Sequence, residues 1–301
     1  MPMLSGGEIA ALTTSLLWAM TSLLFTRATQ RVGASIVNKT RLVVALLLLL
    51  GSHLVAYRVL LPVDAGVERW FWLSLSGIIG LVIGDAFLFQ AFHTIGPRIS
   101  MLLMSLAPVI ATVFSWIFLS ERLSIQQLAG ISITVSGIAF VVLERNNRRS
   151  DKETSVQAAG ILLGVGAATG QALGLITSKI GLAGDFPALS GNLIRVLAAT
   201  LVLWIWTAFR GQVPAAWQAL KGDRHASGYI LAGSVVGPFL GIWFSLIAIQ
   251  YTEVGVASTL MGLAPIILLP LSRIFLHEEV TGKAVLGTIV AMIGVAILFL
   301  A

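Results

Sequence analysis

Apolar runs of roughly twenty residues recur along the whole chain, separated by short polar connections, and each is long enough to cross a hydrocarbon core about 30 Å thick. They fall at 8–28, 36–57, 69–91, 98–119, 124–143, 157–178, 187–209, 228–249, 255–276 and 282–301. The pattern predicts an all-α polytopic membrane protein with ten transmembrane helices. Its one long polar stretch in the middle, Glu144 to Ser155 with Arg145, Arg148, Arg149 and Lys152, divides the runs into two sets of five.

The two sets are copies. Leu103-Met104-Ser105-Leu106-Ala107-Pro108 returns as Leu260-Met261-Gly262-Leu263-Ala264-Pro265, 157 positions later. In that register 11 of the 19 positions from Leu103 to Glu121 are identical, and Gly80, Gly84, Gly130 and Gly137 pair with Gly237, Gly241, Gly287 and Gly294. An odd number of spans per copy turns the second copy upside down, so the expected architecture is two inverted five-helix repeats. The boundaries are 1–143 for the first repeat, 144–156 for the connecting loop and 157–301 for the second.

Composition agrees with the pattern. Only 11% of the 301 residues are charged and 57% are apolar, against about 25% charged in a soluble domain. The net charge of +6 would suggest nucleic acid in a soluble protein. Here the basic residues gather at span ends, which assigns them to orientation against anionic lipid and leaves no nucleic-acid partner. Twelve of the 19 Lys and Arg flank loops after odd-numbered spans and four flank loops after even ones. Positive-inside counting therefore places the Glu144–Ser155 loop in the cytoplasm and both termini outside. No cleavable signal peptide is expected, because Glu8 rather than a basic cluster precedes the first apolar run. The absence of cysteine excludes disulfides and thiolate chemistry.

Candidate chemistry begins with ionisable groups inside spans, each costing at least about 2.5–3.5 kcal/mol at a bilayer centre. Asp85 is the carboxylate set deepest in a span, and its repeat partner is Ile242. It is a candidate proton-coupling group or counter-charge for a cationic substrate; the structural alternative is a hydrogen bond to a neighbouring helix. Glu121 and Glu278 are repeat partners at span ends, where a carboxylate caps the next helix. Asn38-Lys39-Thr40-Arg41 and Asn192-Leu193-Ile194-Arg195 form a second duplicated pattern. Such an arginine could clamp a substrate carboxylate or tie down neighbouring carbonyls.

Small polar and aromatic residues share faces at helical spacing: Met101, Ser105, Pro108, Thr112 and Ser115, with partners Ser258, Gly262, Pro265 and Ser272. Trp18 and Thr21 share another face, Gln171 and Gly174 a third, and Trp243 and Gln250 lie seven residues apart. Turned inward, they would line a cavity for an organic solute; the alternative is ordinary packing of small residues. Pro108 and Pro265 are expected to bend their helices near the midplane. Gly166-Ala167-Ala168-Thr169-Gly170 lacks the spacing of a phosphate loop and reads as a small-residue packing seam. Gly130, Thr134 and Gly137 with Gly287, Ala291 and Gly294 form another, for packing on each other or on a second protomer. His53, His93, His225 and His277 have no metal-ligand spacing, and no Walker motif or nucleophile elbow occurs. No enzyme activity, metal or cofactor is expected.

The Leu-Ala-Pro blocks with their glutamates and glycines, together with Arg41 and Arg195, bring a family into view. The chain resembles the EamA-type members of the drug/metabolite transporter superfamily over nearly its whole length. The resemblance implies a secondary transporter working by alternating access, and often an exporter of amino acids, other metabolites or drugs. A cell inner-membrane location, a monomer or homodimer, and both termini in the cytoplasm go with it, the last opposite to the charge count. Proton coupling would fall to Asp85. An uncoupled facilitator or channel-like conduit is the alternative, and an integral membrane enzyme a more distant one.

Overall fold

The computed structural model describes residues 5–119, 124–146, 151–184, 186–251, 257, 260–276 and 280–299. Among these every regular element is helical. The first two helices, α1 (Gly6–Val32) and α2 (Ala34–Tyr57), follow one another across a single residue. Ser5 and Glu8 start α1 with reciprocal bonds, Glu8 N–H to Ser5 Oγ at 3.2 Å and Ser5 N–H to Glu8 Oε2 at 2.7 Å. Gly33, at φ 85°, makes the reversal, a backbone region open chiefly to glycine.

The next stretch holds the spans expected at 69–91 and 98–119, and a backbone break at Gly96 falls between them. Helix α3 (Val67–Gly77) runs through a π-helical turn (Ile78–Gly84) into α4 (Asp85–Met104), and α5 (Leu106–Leu119) follows. The first break is at Gly96, with φ 78° and ψ 168°, just before Pro97. Proline disfavours helical conformation in the residue before it. The second break is at Ser105, so Pro108 is the third residue of α5. The irregularity falls at Ser105, which keeps φ -65° and ψ -9°, and the proline occupies a first turn, where its missing N–H costs nothing.

After α6 (Ile125–Asn146) the second copy repeats the course: α7 (Asp151–Gly181), α8 (Ala188–Phe209), a short α9 (Val213–Gly222), then α10 (Arg224–Ser234), a π-helical turn (Val235–Gly241) and α11 (Ile242–Tyr251). The chain ends with α12 (Ala264–Leu276) and α13 (Gly282–Phe299), and Pro265 is the second residue of α12. The two π turns fall in the same 157-residue register as the sequence repeat. Seven helical stretches among the described residues are long and apolar enough to cross a membrane, and α12 and α13 are shorter apolar helices.

Packing is doubled in the same register. The α3–π–α4 rod lies on α7 while the α10–π–α11 rod lies on α1. Likewise α5 meets α7 and α12 meets α1, and the self-related pairs are α2 with α8 and α6 with α13. The small-residue seams explain the close approaches. A Cβ on Gly170 would come within 2.7 Å of Gly84 Cα, and one on Gly174 within 3.1 Å of Gly80 Cα. Gly137 faces the Ala291 backbone and Gly294 faces Thr134, so the α6 and α13 glycines pack on each other. An aromatic cluster of Phe25, Phe89 and Phe92 with Met101, Ala264 and Leu268 joins α1, α4 and α12.

Backbone-to-backbone contact leaves nothing to yield at the α6–α13 seam. A methyl at Gly137 would sit 2.5 Å from Ala291 N, so Gly137→Ala should destabilise by about 1–3 kcal/mol, the usual cost of overpacking. Gly51→Ala, with open space around it, should leave the melting temperature in detergent unchanged or slightly higher. Equal melts for the two variants would remove the seam from the stability of the bundle.

Candidate functional site

A π-helical turn carries one residue more than an α turn and leaves carbonyls poorly matched to donors. Each π turn here is met by an asparagine from the second helix of its own repeat. Asn38 Nδ2 donates to Val82 O at 3.4 Å, and Asn192 Nδ2 donates to Pro238 O at 3.1 Å. The duplicated Asn-x-x-Arg pattern is thus a clamp on the duplicated turn, and its asparagine has a structural use in both copies.

In the first copy the arginine completes the clamp. Arg41 is 3% exposed and Asp85, the first residue after the π turn, is 5% exposed. Arg41 Nη2 pairs with Asp85 Oδ2. It also donates to Asn38 Oδ1 at 3.0 Å and Leu81 O at 3.3 Å, while Nε donates to Asn38 Oδ1 at 3.2 Å. The guanidinium lies 4.8 Å from the Phe89 ring centroid and 5.9 Å from that of Phe25. A buried cation is tolerated when a counter-ion and hydrogen bonds replace its water, and the ring faces add cation–π attraction.

The second copy leaves the clamp open. Ile242 stands where Asp85 stands in the first copy. Arg195 is buried, its Nε lacks a hydrogen-bond partner, and so does Asn192 Oδ1, the atom that would match Asn38 Oδ1. The side chain turns to the first repeat instead. Its Nη2 and Gln171 Oε1 each lie 3.7 Å from the point where a Cβ on Gly80 would be, and its own carbonyl abuts Gly77. Asp85 acts on it electrostatically at longer range. One carboxylate therefore faces two arginines at the seam between the repeats.

The other residues singled out in the sequence do not gather at one point. Trp18 packs on Gly241, and Thr21 Oγ1 donates to Gly233 O at 3.2 Å beside Gly237. Met101 belongs to the aromatic cluster. Ser105, at the break before α5, is buried with its hydroxyl unpaired. Pro265 is buried, and Pro108 is half-buried. Gln250 Nε2 donates to Phe186 O at 2.8 Å, tying the end of α11 to the segment before α8. Trp243 lines a groove of ≈ 550 Å³ with Leu47, Leu48, Gly51, Val55 and Leu189, between α2 and α8. That groove is apolar, touches neither Asp85 nor the arginines, and carries outward-facing Leu47 and Val55. Glu121, Glu278 and Ser258, and the side chains of Thr112 and Ser115, lie outside the described residues. Among the described residues no group of His, Asp and Glu could hold a metal ion.

Sequence reasoning missed the Phe25 and Phe89 faces over Arg41, and the bond from Ser76 Oγ to Gly174 O at 2.5 Å that braces α3 on α7. The repeated Gly80/Gly84 and Gly237/Gly241 pairs were the available signal for the π turns.

The geometry stands beside three comparisons with known proteins. A solved crystal structure matches with a TM-score of 0.65 at 18% identity, covering 98% of this chain and 96% of that one; at that identity the likeness shows the fold. No curated protein is a significant match. The profile of the EamA-like transporter family matches residues 5–143 and 158–300, once for each repeat. The chain is a multi-pass membrane protein and belongs to the EamA-like transporter family.

Proposed function

We propose that this protein is a secondary carrier with ten spans in two inverted five-helix repeats, moving a small organic solute across the inner membrane by alternating access. The observation that carries this reading is the doubled packing: each rod with a π turn lies on the first helix of the opposite repeat. Two equivalent bundles whose contacts exchange under a two-fold can rock between two states related by that axis, the expected behaviour of inverted repeats. The helix breaks at Gly96 and Ser105 and the turn at Gly262 and Leu263 supply places where backbone angles can change. Export is the direction the family resemblance favours. Asp85 is the candidate coupling group: a proton on its carboxylate would release Arg41, and the pair would re-form when the proton leaves.

A cysteine-free chain makes the topology easy to test. Single cysteines at Val63 and Gln212, after the second and seventh proposed spans, should react with an impermeant maleimide from opposite sides of the membrane. Reaction from the same side would rule out inversion.

A thermal-shift screen of metabolites identifies the solute, since a ligand of the native state raises its apparent stability. Flux of that solute in proteoliposomes should saturate; strictly linear flux would mark a conduit. Asp85→Asn leaves Arg41 buried without its counter-ion, at a cost of about 3–5 kcal/mol. The double variant Arg41→Met/Asp85→Leu should recover most of that stability while flux stops responding to a pH gradient. Undiminished gradient-driven flux in the double variant would remove Asp85 from coupling.

A further inference from the structure

The second Asn-x-x-Arg clamp is open, and the reason is not lack of a local acceptor. Asn192 Oδ1 is buried and unpaired three residues before Arg195, as Asn38 Oδ1 is three residues before Arg41. The first arginine takes that bond and the second does not. Arg195 is only 5% exposed, and among the described residues it has no ion pair within 4.0 Å. Asp85 is already held by Arg41. Among the described residues, Asp85 and the two arginines that act on it, Arg41 and Arg195, sum to one surplus positive charge, in a protein interior where an unpaired charge is costly.

We propose that Arg195, with Gln171 beside it, receives the carboxylate of a monoanionic organic solute at the seam between the repeats; this rests on the carrier reading above. A guanidinium offers a planar fork of donors that matches a carboxylate. Gln171 comes from α7 and Arg195 from α8, and both side chains reach Gly80 of the π turn, each 3.7 Å from the point where its Cβ would be. The charge balance selects the class. One surplus positive charge is neutralised by one carboxylate. Among the described residues the one acid of the cluster, Asp85, is engaged by Arg41, which leaves no carboxylate there to receive an ammonium group. The site therefore discriminates an acid from its neutral amide.

The test uses the purified full chain and a matched probe series, the straight-chain carboxylates from acetate to octanoate and their primary amides. At least one carboxylate should raise the melting temperature while the amide of the same length does not. Arg195→Gln should weaken that carboxylate by about tenfold or more, the size expected for losing a charge-assisted hydrogen bond. Arg195→Lys should retain part of the affinity. Without ligand, Arg195→Gln should melt no lower than the wild type, because it removes a cation that lacks a partner. The proposal is overturned if no carboxylate binds, if amides protect as well as acids, or if Arg195→Gln keeps its carboxylate response. It is also overturned if that variant melts lower or fails to fold without ligand, since Arg195 would then be structural. Saturable flux of a neutral or cationic solute would sink this inference and leave the carrier reading standing; strictly linear flux would sink the carrier reading and this inference with it.

Discussion

A charge taken into the hydrophobic interior must bring its compensation with it, and here Arg41 and Asp85 compensate each other across 44 residues of chain. The pair locks α2 to the junction of the π turn and α4. Asn38 and Leu81 O absorb the remaining donors, and Phe25 and Phe89 cover the guanidinium face. Phe25 belongs to α1 and stacks edge-on against Phe89 at 5.2 Å, so the same cluster also fixes α1. Three helices of the first repeat are thereby ordered around one ion pair.

The second repeat inherits the backbone of this arrangement without its charge. Its π turn is present and Asn192 holds it, but Ile242 offers no counter-ion. Arg195 turns across the seam toward Asp85 and Gly80. Duplication supplied two equivalent frames, and a single difference in side-chain chemistry gave them unequal electrostatics.

Small residues set how closely that frame closes. Gly80 and Gly84 lie against Gly174 and Gly170, so α7 approaches the first π turn at backbone distance. Their repeat partners Gly237 and Gly241 meet Thr21 and Trp18. Repeat-related glycines thus meet chiefly α7 backbone in one copy and the Thr21 and Trp18 side chains in the other, and the two seams are unequal in bulk. The α6–α13 contact, by contrast, is close from both directions, with Gly137 against Ala291 and Gly287 O and Gly294 against Thr134 and Gly130 O.

Much of the frame was legible in the chain. Twenty-residue apolar runs imply helices because a bilayer leaves backbone groups no other partners, and the 157-residue register revealed the duplication. The glycine seams followed from spacing alone. Pro108 and Pro265 pointed to irregular helices, though periodicity could not tell a bend from an interruption, since both keep the same apolar stripe. Asp85 and the two arginines stood out by their cost. Which arginine holds Asp85 was not legible, because Asn-x-x-Arg reads alike in both copies and the pairing depends on what faces each guanidinium across 40 or more residues. The sequence by itself determined the helices, the repeat and the identity of the buried charges, all of which follow from local composition and spacing. Only the tertiary structure decided that one clamp closes and the other stays open, because ion pairing and desolvation depend on distances that arise when the helices are packed.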